Sequence, residues 1–285
     1  MSFRPRLLLP RTLTSSLLKL YDYPHPYDPH KIIKGYDKAH ALRTAKMCVS
    51  VALYLGHDLL RVRQYQITCL LHDLGRAGLD QQLFGSIWSW AKTHGVPTRP
   101  AEWRKRYPDT PYGKETEAFV RKFGIQLQKE GIQLEKWARE QIEMRLGYAR
   151  RMRRIRQKVM PRLRRLNIVW HHWMEKVILY YYYPELMERE PSWVREFGEI
   201  LVACEQLEAY SNRQRGKDYY TRSQESFEEA FRYLNSLIRK KQLSKKVVNA
   251  VRSLAATGQF DSILKAAKGR PLTRSDIQFL RALSA

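Results

Sequence analysis

The dipeptide His72-Asp73 stands at the end of an apolar run, CLLHDLGRAG, and sets an imidazole beside a carboxylate. A divalent transition metal accepts both donor types, and such an ion activates water for phosphate ester hydrolysis. Two donors do not make a site, so further ligands must come from other segments. The candidates are polar side chains at positions where the surrounding pattern is apolar and helical: His40, the pair His171-His172, and Glu205. A buried imidazole or carboxyl group without a partner is costly, and convergence on a common cation would satisfy several at once. Taken singly, each has a plainer role as a helix cap or a hydrogen-bonded core residue.

The elements that must carry these groups read as helices. Apolar residues at 42, 45, 49, 52, 53 and 55 follow one helical face from Asp37 to Gly56. Asp58 is a cap for a second helix, which runs through Leu59, Val62, Ile67 and Leu70 to Leu74 and puts His72 and Asp73 in its last turn. Residues 94–113 carry four prolines and read as a connection with one short helix at 100–106. Two heptad-spaced copies, GIQLQKE and GIQLEKW, put Ile125, Leu127, Ile132 and Leu134 on one helix face, their Ile-x-Leu alternation also fitting a short strand, and the following RRMRRIRQKVMPRLRR is interrupted by Pro161. The segment LNIVWHHWMEKVILYYYYPEL is helical up to Pro184. Residues 194–210 and 224–240 are amphipathic helices, the second capped by Ser223 or Thr221, and three short helices fill 243–285.

The expected fold class is all-α, a helical bundle with a basic helical insertion. The expected organisation is a docking segment at 1–35, a core from 36–113 and 166–254, the insertion at 114–165, and C-terminal helices at 255–285.

A chain of 285 residues is long enough to bury its own core, and 44% hydrophobic content excludes a disordered protein. Its 52 basic residues against 28 acidic ones leave a formal charge of +24, which attracts polyanions such as nucleotides, nucleic acid or an anionic membrane. Cys48, Cys69 and Cys204 lie singly in apolar segments, as buried thiols of a reducing compartment do. No stretch approaches the length of a membrane span. The expected location is cytoplasmic, with a peripheral membrane contact through the basic, proline-broken N-terminus as the second reading.

The order of these motifs resembles the HD superfamily of metal-dependent phosphohydrolases, and within it the HD-GYP branch that cleaves cyclic dinucleotides. HALR at 40–43 matches a helix that begins H-x-x-R, and LLHDLGR matches LLHDIGK with Arg76 in place of lysine. His171-His172 and, further along, Tyr183-Pro184 resemble the HHE and GYP segment, with Trp173 where the glutamate stands and the glycine absent. Tyr107 occupies the position of a histidine between the two motifs. ACEQLEAYSNRQRGKDYYTR resembles the late helix, where a metal-binding Asp precedes Ala-Leu-Thr and an Arg-x-Tyr stretch; Glu205 is read as that acid.

The resemblance implies a hydrolase for a nucleotide-like phosphodiester or phosphomonoester, a cyclic dinucleotide among them. One or two iron or manganese ions would be held by His40, His72, Asp73, His171, His172 and Glu205. Asp73 would bridge the ions, Arg76 would neutralise the phosphate, and Arg43 and Arg213 would bind substrate, Arg43 also orienting the ligands. The alternative is a catalytically degenerate relative that binds a nucleotide, nucleic acid or protein. For residues 136–165, where only Glu140 and Glu143 offset the basic residues, the reading is sequence-indifferent nucleic-acid binding, set against a solvated helix face.

Overall fold

The computed structural model describes residues 7–28, 30–212 and 226–283. These residues form fourteen α-helices and a single two-residue antiparallel ladder, in which Tyr23 and Pro24 pair with Ile33 and Ile32. The all-α expectation holds.

The main body is built on three helices. α2 (Lys38–Tyr54) and α3 (Leu59–Leu70) form a hairpin, and Asp58 caps α3 by accepting from the Arg61 amide at 2.9 Å. α10 (Ser192–Ser211) lies against α2 and also against α9 (His172–Leu179), α11 (Phe227–Arg239) and α12 (Lys245–Ala256). A helix packed on several sides cannot keep a polar face, and residues from Phe197 to Ala209 are nearly all buried. The end of the chain adds α13 (Asp261–Lys268) and α14 (Arg274–Ala282), the latter opened by a capping box between Thr273 and Asp276. At the other end, α1 (Arg11–Leu18) buries Leu17, and Gln66 on α3 accepts from the amides of Leu8 and Leu9.

A second hydrophobic core is confined to residues 79–146. It joins α4 (Gln81–Thr93), α5 (Pro100–Arg106), α6 (Glu115–Lys129) and α7 (Lys136–Leu146) around Phe84, Trp88, Trp103 and Phe119, whose rings approach within 5.6–6.0 Å. The buried clusters therefore divide the chain at 79 and 146, whereas the sequence reading placed the insertion at 114–165. The reason is α8 (Tyr148–Arg165): Tyr148, Met152, Ile155, Val159 and Leu163 form a stripe at helical spacing that packs into the main core. Its basic composition hid five apolar positions.

Local differences follow the same logic. Pro161 lies inside α8 without ending it. The heptad echo is split by a turn at Gly131 (φ +78°), leaving Ile125 exposed while Leu127 and Ile132 are buried. The cap of α11 is Ser226, which accepts from the Glu229 amide; Ser223 and Thr221 lie outside the described residues. No helix among the described residues is long and apolar enough to cross a membrane.

Candidate metal centre

His72 and Asp73 do not sit in a last helical turn. α3 ends at Leu70, and a 3-10 turn at Leu74–Arg76 follows. The interruption has a specific cause. In a continuing helix the Cys69 carbonyl would accept from the Asp73 amide. Instead His72 Nδ1 takes that carbonyl at 2.7 Å, and the Asp73 amide donates to the Tyr21 hydroxyl at 3.2 Å. Tyr21 in turn donates to the Leu70 carbonyl at 3.0 Å, and the Tyr148 hydroxyl donates to the His72 carbonyl. Burial raises the Tyr148 phenol well above its ordinary value and nearby Asp73 adds to the shift, so it stays a donor. Gly75 is required for this arrangement, since a Cβ there would lie 2.6 Å from the Tyr148 ring.

The turn beyond is held from α8. Arg151, wholly buried, donates to the carbonyls of Gly75 and Ala77 at 2.8 Å each and to Glu140 at 2.8 Å. A buried guanidinium with all its directions used in this way is a clamp on the backbone that presents Asp73.

His40 enters from the first turn of α2, and its Nε2 faces His72 Nε2 at 3.1 Å. Asp73 Oδ2 lies 3.7 Å from the first and 3.8 Å from the second. The three residues are at most 3% exposed, and one donor atom from each falls within 4.8 Å of the others; no further His, Cys, Asp or Glu joins this cluster among the described residues.

The other ring nitrogens decide what those facing atoms are. His72 Nδ1 contacts a carbonyl, which only accepts, so it carries the proton and Nε2 of the neutral ring is a lone pair. His40 Nδ1 donates to the carboxylate of Glu208, so in the neutral ring its Nε2 is a lone pair as well. Two lone pairs at 3.1 Å repel unless a proton or a cation lies between them. The spacing suits a cation: two nitrogens about 2.1 Å from one ion and about 95° apart lie about 3.1 Å from each other. Two imidazoles and one carboxylate fit iron, manganese or zinc better than magnesium or calcium.

Glu208 is the acid that the sequence reading missed. It is fully buried, and besides His40 it accepts from Arg43 Nε at 2.7 Å and Asn212 Nδ2 at 3.3 Å. A carboxylate behind an imidazole fixes the ring's orientation and tautomer and raises its basicity as a ligand. Glu205, read as the late acid, is one turn away, only partly buried and outside the cluster. Two signals favoured Glu208: it continues the core stripe of Val194, Phe197, Leu201 and Cys204, and it directly precedes Ala209 as the matched pattern requires.

The remaining candidates are placed differently. His171 and His172 are at the start of α9, His172 exposed and His171 stacked on Trp173 with ring centroids 6.4 Å apart, and neither joins the three. Their pairing in sequence reflects a helix start at the surface. Arg76 is 10% exposed by its side chain and reaches Asp37 at 3.3 Å and Asp73 at 3.5 Å, so its charge is met by two carboxylates. Arg43 is held by Glu208. Arg213 lies outside the described residues.

All three cysteines are fully buried free thiols.

The basic segment is more internally paired than its composition suggests. Arg150 meets Glu143 at 2.8 Å and Glu117 at 2.7 Å, Arg154 also meets Glu143, and Arg153 and Arg156 share Glu175. Lys158, Arg162, Arg164 and Arg165 stay exposed. Within α8, the basic residues without a carboxylate partner among the described residues therefore lie in its C-terminal half.

Comparison of the chain with protein-family models, with curated proteins and with solved structures finds no match.

Proposed function

We propose that the protein is a metal-dependent phosphohydrolase of the HD type, acting on a phosphate ester of a nucleotide-like substrate with one divalent transition metal held by His40, His72 and Asp73. The observation that carries this reading is the pair of Nε2 atoms facing each other at 3.1 Å with the Asp73 carboxylate beside them. An ion in that position would supply Lewis acidity toward a phosphoryl oxygen and lower the pKa of water at the site. Glu208 keeps the His40 proton on Nδ1, and the Cys69 carbonyl does the same for His72, so both ligand nitrogens are presented ready. Arg76, beside Asp73, limits the negative charge on the ligand set. The donor set supports a single ion, since His171 and His172 are elsewhere.

A degenerate, ion-holding relative is the second reading. It is favoured by the depth of the three ligands and by the engagement of Arg43 and Arg76 with carboxylates.

The test is elemental analysis of protein purified without added metal, followed by assays of bis(p-nitrophenyl) phosphate and p-nitrophenyl phosphate with manganese or iron. About one ion per chain is expected, with metal retention and hydrolysis both lost in His72→Ala and Asp73→Asn. Metal without hydrolysis selects the degenerate reading. Protein that neither carries nor accepts a transition metal overturns both.

A further inference from the structure

A cavity of about 430 Å³, lined by none of His40, His72 and Asp73, opens between the residue 22–27 loop and the α7–α8 pair. Its volume falls in the range, about 300–1,000 Å³, of pockets that enclose one small molecule. The walls are aromatic. Tyr23 stacks on Trp137 with centroids 6.3 Å apart and planes at 29°, and Tyr27, 65% exposed, also lines the cavity with its hydroxyl donating to Glu135 at 2.9 Å. Ile155 and Val159 supply the apolar side.

The charges around this cavity do not cancel. Of its three acids, Asp22 is paired with Lys38 at 2.6 Å and Glu140 with Arg151 at 2.8 Å, which leaves Glu135. Opposite them Lys136, Lys158 and Arg162 make no ion pair with the described residues, and Lys158 Nζ stands 5.8 Å from the Tyr23 ring centre. Three unpaired cations against one unpaired carboxylate leave a positive rim on an aromatic box. Nearer the start of α8 the arginines from Arg150 to Arg156 are each met by a glutamate. Aromatic faces take a planar ring by stacking, and lysine and arginine at the ring's edge take a phosphate attached to it.

The geometry points to a nucleotide-binding site in this cavity, separate from the metal centre: a nucleobase stacked within the Tyr23–Trp137–Tyr27 box, with its 5′-phosphate on Lys158, Arg162 and Lys136. It requires no bond-making step and does not depend on the activity proposed above.

Isothermal titration of the full chain in EDTA, which silences the metal centre, tests it with adenosine 5′-monophosphate, adenosine, inorganic phosphate and an oligoadenylate. Saturable binding of the monophosphate is expected. It should weaken by about ten-fold or more in the surface variants Lys158→Glu and Arg162→Glu, and more gently with added salt. Tyr27→Ala should cost roughly five- to ten-fold for the monophosphate and leave inorganic phosphate unchanged, because only the base is stacked. His72→Ala should bind as the parent does. Three outcomes would overturn the assignment: no binding of any probe at millimolar concentration, binding indifferent to Lys158→Glu and Arg162→Glu, or binding lost in His72→Ala. Oligoadenylate bound ten-fold tighter than the monophosphate would also overturn it, by giving the site to nucleic acid.

Discussion

The His-Asp cluster and helix α8 are both dense in ionisable groups, yet they are organised in opposite ways. Along the first half of α8 each arginine finds a carboxylate, and the most deeply buried one, Arg151, also satisfies two backbone carbonyls. At the cluster, two imidazoles turn the same ring nitrogen, Nε2, toward each other while their opposite nitrogens are anchored by a carboxylate and a carbonyl. Charge density alone therefore says little about function. A polar network that closes on itself is architecture, and one whose ligand-type atoms converge on a common point is a candidate site.

The largest effect on stability should come from breaking the closed network. Arg151→Met strands Glu140 and the Gly75 and Ala77 carbonyls, and should cost about 3–5 kcal/mol. Denaturant titration followed by circular dichroism measures it. Metal retention should fall in the same variant, since the clamp holds the turn that carries Asp73; unchanged metal content would separate the two regions.

Next comes the anchor of the open cluster. Glu208→Gln should weaken metal affinity by about 10–100-fold, the effect of losing a carboxylate behind a ligating histidine. Glu205→Gln should leave it unchanged, and competition with a chromogenic chelator distinguishes them. Equal losses in both variants would mean that the late helix acts through overall charge.

A smaller effect should appear with pH. Burial by itself raises the Glu143 carboxyl, but hydrogen bonds and charge from Arg154 and Arg150 outweigh it and hold the group below its ordinary value. A carboxyl depressed in the folded state stabilises above its unfolded pKa of about 4.3, and the contribution fades as pH falls through the lower folded value. Glu143→Gln should thus be about 1 kcal/mol less stable at pH 7, a figure reduced by the exposure of both arginines. The gap should close on acidification below about pH 4. Parallel thermal melts of the two proteins from pH 7 to pH 3 provide the check, and a gap that widens in acid would contradict the pairing.

The smallest effect belongs to the exposed end of α8. Arg164→Gln with Arg165→Gln should change stability by under about 0.5 kcal/mol. The same pair should lower the salt needed to elute the protein from heparin. Arg150→Gln with Arg154→Gln should change elution less, because those charges are already met.

Much was legible in the chain alone. The 3.6-residue periodicity gave most of the helices but not α4, and the short helix at Pro100–Arg106 was read within the proline-rich connection. His40, His72 and Asp73 stood out as polar groups at apolar positions. Residues that act behind them carry no such signal: Tyr148 and Arg151 lie 76 residues from the backbone they hold. The His171-His172 pair shows the converse failure, for adjacency in sequence is not convergence in space.

Composition and periodicity by themselves determined the all-α class, most of the helices and a set of six candidate ligands, because local propensity and one buried face per helix are written residue by residue. Only the tertiary structure decided that Glu208 rather than Glu205 stands behind His40, that α8 belongs to the main core, and that its arginines are largely neutralised. Those outcomes depend on which side chains from distant segments meet in a dry interior, where an unmatched lone pair or charge is expensive enough to select a single arrangement.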